Sequence, residues 1–190
     1  MKLPLVFLVF LGIFSGFSQD SELSPAAQVL FKDVTCKLNA AEMNALFDTS
    51  MFALAPNGEQ FYFKDDSYSA EFPFNIEVYP LDLNSDGIEE IAMVFGNAAT
   101  SGAAGSSGIL FIKNANSVYE SNFGFPGMYA FLATGNLNFP DVCIAGPGFE
   151  FPVWRWNGKS YEMHRTISDS EMQQLSPAYF QQASALYLGK

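Results

Sequence analysis

The chain has 190 residues, of which 49% are hydrophobic and 16% aromatic, and its formal net charge at pH 7 is −11. Such an acidic surface argues against nucleic acid or an anionic membrane face as partner, since both select clustered Lys and Arg. The single histidine, His164, falls in an apparent strand beside Arg165, which leaves neither a histidine-rich metal site nor a Ser-His-Asp triad to build.

In chain order, Lys2, the apolar run from Leu3 to Phe14 and Ser15-Gly-Phe-Ser18 have the layout of a secretory signal peptide over residues 1–18. Gly16 and Ser18 favour cleavage before Gln19. The apolar stretch is too short for a comfortable span, so no membrane insertion is expected after cleavage, and the mature chain is expected to be periplasmic or secreted. Residues 19–190, about 170 of them, suffice for one globular domain with a substantial core. Its expected class is α+β, an antiparallel β-sheet domain with short N-terminal and C-terminal helices: helical over 24–48, β-rich over 59–165 and helical again over 168–188.

Ser24-Pro25 opens a first helix, and Asn39-Ala-Ala-Glu42 is a capping box for a second. Pro56-Asn57-Gly58 marks a turn, after which 60–63, 74–79, 91–95, 109–113, 118–123, 142–145, 152–156 and 160–164 have strand character. Asn157-Gly158 between two aromatic-rich segments predicts a hairpin. Ser168-Asp-Ser-Glu171 is another capping box, and Ser176-Pro177 restarts a helix to about residue 188.

One stretch carries chemistry: Asp82-Leu-Asn84-Ser-Asp86-Gly87-Ile88-Glu89-Glu90. Calcium takes roughly 6–8 oxygen ligands, and Asp82, Asn84 and Asp86 offer oxygens at alternate positions, with Gly87 where the backbone must reverse. Ile88 contributes its carbonyl while its side chain anchors the loop in the core. Glu90 closes the site, with Glu89 as a substitute. The twelfth position is Met93, not the bidentate carboxylate of a helix–loop–helix hand, and both flanks look like strands. The same residue types also make ordinary turns.

The loop resembles those of FG-GAP or VCBS-type repeats, including integrin α-subunit propellers, with the pattern Asp-x-Asp/Asn-x-Asp-Gly-x-x-Asp/Glu. That resemblance spans nine residues and implies Ca²⁺ held by Asp82, Asn84, Asp86, Ile88 and Glu90. It does not imply a propeller, because the loop occurs once and no internal repeat accompanies it. More broadly, residues 74–161 look like secreted bacterial single-module proteins of unknown function.

Cys36 and Cys143 both lie in the exported part, where they either form one disulfide or remain two buried thiols. Tyr129, Phe149, Trp154, Arg155 and Trp156 are candidates for a partner-binding face, although Trp154 and Trp156 share one side of a strand and so also suit a core. Asp141, Glu150 and Glu162 are the carboxylates from which a hydrolytic pair would be drawn. The expected function is a non-enzymatic, calcium-stabilised binding module of the cell envelope, with a protein or glycan partner. An envelope hydrolase using a carboxylate pair and a secreted enzyme inhibitor are the alternatives.

Overall fold

The computed structural model describes residues 22–146, 148 and 150–189, so the signal-peptide segment lies outside the described residues. The protein is α+β, with three antiparallel sheets and short helices at both ends. Helices α1 (Pro25–Leu30) and α2 (Ala40–Thr49) come first. The capping box of α2 forms as its spacing requires: Glu42 N–H donates to Asn39 Oδ1 and Asn39 N–H to Glu42 Oε2, both at 3.0 Å. A two-stranded ribbon follows, β1 (Phe52–Leu54) with β2 (Phe61–Phe63).

The first large sheet has the order β3-β4-β5-β6, with β3 Ile76–Leu81, β4 Glu90–Phe95, β5 Ser107–Lys113 and β6 Tyr119–Pro126. A short helix α3 (Ala98–Ser101) and a 3-10 turn connect β4 to β5, where 97–108 has the composition of an unstructured loop. The second has the order β10-β9-β8-β7-β11, with β7 Met128–Asn136, β8 Phe139–Ala145, β9 Glu150–Trp156, β10 Tyr161–Ser168 and β11 Ala178–Tyr179. Helices α4 (Asp169–Gln174) and α5 (Phe180–Tyr187) complete the chain.

Strand alternation explains how these parts stack. Ile91, Met93, Phe95, Ile109 and Phe111 face α1, α2 and the ribbon, whereas Ala92, Leu110 and Ile112 face the second sheet. Across that inner layer Phe123 stacks on Tyr129 (5.3 Å between centroids) and meets Tyr161 edge-on (5.6 Å). The second sheet repeats the device: Val142, Ile144 and Trp156 turn inward, while Cys143, Ala145, Phe151 and Val153 turn outward beneath Met172 of α4. The middle strands β4, β5 and β8 are covered on both faces, which is why β4 reads as an apolar run after Glu90.

Cys36 and Cys143 are free thiols and are not brought together. Cys36 packs against the cluster beneath the N-terminal helices, Cys143 under α4 with its Sγ 3.6 Å from Met172 Sδ. Burial pushes the Cys143 thiol up to about 11, so it stays protonated at neutral pH.

Candidate functional site

Four connections gather at one pole of the two large sheets. The registers Leu81↔Glu90, Ile91↔Phe111 and Lys113↔Tyr119 place loop 82–89 and turn 114–118 at the same end of the first sheet. Asn136↔Phe139, Val142↔Trp154 and Trp156↔Tyr161 do the same for turns 137–138 and 157–160 in the second. Tyr161 N–H donates to Asn122 Oδ1 (3.1 Å) and ties the two sheets together there, and Leu83 borders the same shallow surface as 132–140.

Loop 82–89 is folded around its own side-chain oxygens. Asp82 Oδ1 and Oδ2 accept from Asp86 N–H (3.0 Å) and Gly87 N–H (3.1 Å), Asn84 Oδ1 also accepts from Asp86 N–H (3.0 Å), and Asp86 Oδ1 accepts from Ile88 N–H (2.7 Å). Gly87 has φ +84° with open space around it, a backbone state that a side chain strains. Glu90 reaches back to accept from Leu83 N–H at 2.7 Å and is 3% exposed. Burial, and then the negative charges of Asp86 and Asp82, push its pKa from 4.5 up to about 7.

This donor set fits a hard cation in kind: three carboxylates and one amide on one loop, with like charges raising the cost of ionising the buried one. A carboxylate oxygen has room to accept an N–H and still ligate, so the loop's hydrogen bonds do not use up its donors. Among the described residues no group of three or more His, Cys, Asp and Glu side chains is already drawn together at metal-binding spacing. The Ile88 side chain does not anchor the loop in the core. It is 46% exposed, because the turn at Gly87 throws it outward.

Glu89, the sequence-based substitute for Glu90, points elsewhere. Its Oε2 accepts from Lys37 N–H (2.6 Å), its Oε1 from the Tyr187 hydroxyl (3.1 Å), and its carbonyl from the Tyr119 hydroxyl (2.8 Å). Lys37 Nζ donates to the Gly87 carbonyl at 3.3 Å. Glu89 thus clamps the loop's exit to both the N-terminal segment and α5. No local pattern announces this, since its partners lie far along the chain. Tyr187→Phe is expected to cost about 1–2 kcal/mol in urea unfolding, the worth of one hydrogen bond to a carboxylate.

The aromatic candidates do not form one face. Tyr129 and Trp156 are buried between the sheets, and Trp154 turns the same way and stacks on the exposed Phe125 at 5.2 Å, with its Nε1 buried and unpartnered. Phe149 lies outside the described residues. Arg155 faces the other side of the sheet and grips Asp141, Nε to Oδ1 at 2.8 Å and Nη2 to Oδ2 at 2.7 Å, while Thr134 donates to Oδ2 at 2.6 Å. Burial pushes the Asp141 carboxyl up, but the hydrogen bonds from Arg155 and Thr134 and the charges of Arg155 and His164 outweigh it and leave the pKa below its ordinary value.

Asp141, Glu150 and Glu162 do not form one cluster, and the Asp141 carboxylate is committed to Arg155 and Thr134. Glu162 is exposed and opposite Arg155 in register, and Glu150 pairs with Ser168 at the far end of β9, about 17 Å along the strand from Arg155. No helix among the described residues is long and apolar enough to cross a membrane. Comparison of the chain with family profiles, with curated proteins and with solved structures finds no match.

Proposed function

We propose that this protein is a secreted, calcium-stabilised binding module of the cell envelope, with the turn-bearing pole as its recognition face and no catalytic role. The reading is carried by Glu90, a carboxylate buried beside Asp82 and Asp86 on one short loop. Asp82, Asn84, Asp86, Glu90 and the Ile88 carbonyl would hold the ion. Bound Ca²⁺ supplies positive charge and coordination for roughly 6–8 oxygens. The chain's own part is to orient those oxygens and, through Glu89, to fasten the loop to its two ends. The signal-like segment 1–18 supports export, and the acidic surface suits a partner other than a polyanion.

The test is thermal unfolding of residues 19–190 in EDTA and in Ca²⁺. For a Kd of about 10⁻⁴ M, 1 mM Ca²⁺ stabilises by about 1.4 kcal/mol, or roughly 3–6 °C in Tm. Asp82→Ala/Asp86→Ala is expected to abolish that rise. An equal Tm in EDTA and Ca²⁺ for the unmutated protein would leave the loop an acidic turn.

A further inference from the structure

A groove at the same pole lies between turns 114–118 and 157–160, with a volume of about 390 Å³. That is within the roughly 300–1,000 Å³ of small-ligand sites. Its lining is unusual for this chain: Asn114, Asn116, Asn122, Glu120, Lys159 and Trp156 put amides, one carboxylate, an ammonium and an indole around one concavity. A larger groove of about 610 Å³ between α1 and β3 is lined by aliphatic and charged side chains, including Val29, Ile76, Val78 and Glu77, and has no aromatic or amide lining.

The chemistry of the lining selects the ligand. Asn114 and Glu120 hold each other, Nδ2 to Oε1 at 2.6 Å, so the carboxylate is engaged and fixed in place. Lys113 borders the groove but is spent on Glu42 (2.6 Å) and on the Tyr119 ring (4.9 Å). Lys159 takes part in no ion pair among the described residues. Trp156 is held between Phe139 and Tyr161, at 4.6 and 5.4 Å between centroids, and, being 8% exposed, gives the groove floor a rigid edge, not a ring face. Asn114 and the Asn122 Oδ1 are taken up within the protein, which leaves the Asn116 amide, the Asn122 Nδ2 and the Lys159 ammonium beside a fixed aromatic edge, a set that matches a ligand rich in hydroxyls with some C–H surface. A strongly anionic ligand would meet the repulsion of a protein carrying −11.

We infer that this groove binds a neutral glycan, one to three sugar units deep, with Asn116 and Lys159 meeting hydroxyls from the two turn tips. The inference rests on the binding-module reading and gives its partner a chemical class. Both turn tips are open to solvent, and the hydrogen bonds that shape them run through Asn114 and Asn157, so truncating Asn116 and Lys159 leaves the turns intact. Tyr119, whose hydroxyl holds the Glu89 carbonyl and whose ring lies under Lys113, connects the groove to the loop.

The experiment is calorimetric titration of residues 19–190, in 1 mM Ca²⁺, with neutral trisaccharides (cellotriose, maltotriose, mannotriose, chitotriose) and with a uronate trisaccharide. Saturable binding of a neutral trisaccharide, weakened tenfold or more in Asn116→Ala/Lys159→Ala at unchanged Tm, is expected. Binding by none of the neutral sugars, binding of the uronate alone, or binding indifferent to the double substitution would each overturn it. The calcium-dependent Tm is measured on the same samples, so loss of the metal response is seen separately from loss of sugar binding.

Discussion

Arg155→Leu is expected to destabilise the protein by about 2–3 kcal/mol, because it leaves the buried carboxylate of Asp141 without its counter-charge, the one-third exposure of Arg155 keeping the loss below that of a pair buried on both sides. Arg155 supplies both an ion pair and two of the three side-chain hydrogen bonds to that carboxylate. The Asp141→Leu/Arg155→Leu double variant should recover much of the loss, since replacing both members of a buried pair is far milder than removing one. A pH series gives a sharper signature. In the unmutated protein Asp141 titrates below its unfolded value, so its contribution is present above that value and is lost as pH falls through the folded one. In Arg155→Leu only burial and Thr134 remain beside a distant His164, and acidification should stabilise that variant. Urea midpoints between pH 3 and 7, with Glu90→Gln present in both proteins so that Glu90 does not titrate, check this, and slopes of the same sign in both would contradict it.

Glu90 predicts the opposite behaviour in the unmutated protein. Its pKa stands at about 7, up from 4.5, so between those values the native state keeps a proton that the unfolded chain has released. Stability in EDTA should therefore fall as pH rises from about 4.5 to about 7, by roughly 3 kcal/mol for this one group, and level off above. Glu90→Gln keeps an oxygen for the Leu83 N–H and should flatten the curve. Calcium reverses the logic, because the ion favours the carboxylate: its stabilisation should be largest above pH 7 and fade as Glu90 protonates. Urea midpoints across pH 5–8, with and without 1 mM Ca²⁺, provide the test. A slope that survives Glu90→Gln would assign it to other groups.

Much of the framework was legible because its signals are local. The Asn39 box, the strands 91–95 and 152–156 and the turn after Trp156 all appear where short-range chemistry puts them, although the hairpin's central residues are Gly158 and Lys159, one step beyond the Asn-Gly pair, with Asn157 paired to Ser160. Strand β7 is not legible in the sequence because Met128-Tyr-Ala-Phe-Leu-Ala-Thr-Gly-Asn136 has little β-branching, and only Tyr129 of it stands out, as a contact candidate. In Ser168-Asp-Ser-Glu171 only half a capping box forms: Glu171 N–H reaches Ser168 Oγ at 3.3 Å, but its carboxylate turns to Arg165. The oxygen-bearing loop was readable from spacing alone. Its clamp at Glu89 and the groove between two turns were not, since each depends on residues that only the folded topology makes neighbours.

Strand β7 also carries a hazard that the last residues of the chain remove. It is an apolar strand whose second side would otherwise offer unpaired N–H and C=O groups to any extended segment of another molecule. Ala178 and Tyr179 pair with Phe131 and Ala130, and the Leu175 carbonyl takes the Ala133 N–H at 3.0 Å, so that side is closed by a strand only two residues long. Pro177, just before it, lacks an amide hydrogen with which to continue a ladder. The C-terminal tail therefore covers the middle of that side, residues 130–133, and its removal is expected to make the protein more prone to self-association, which light scattering of a chain truncated after residue 174 would measure.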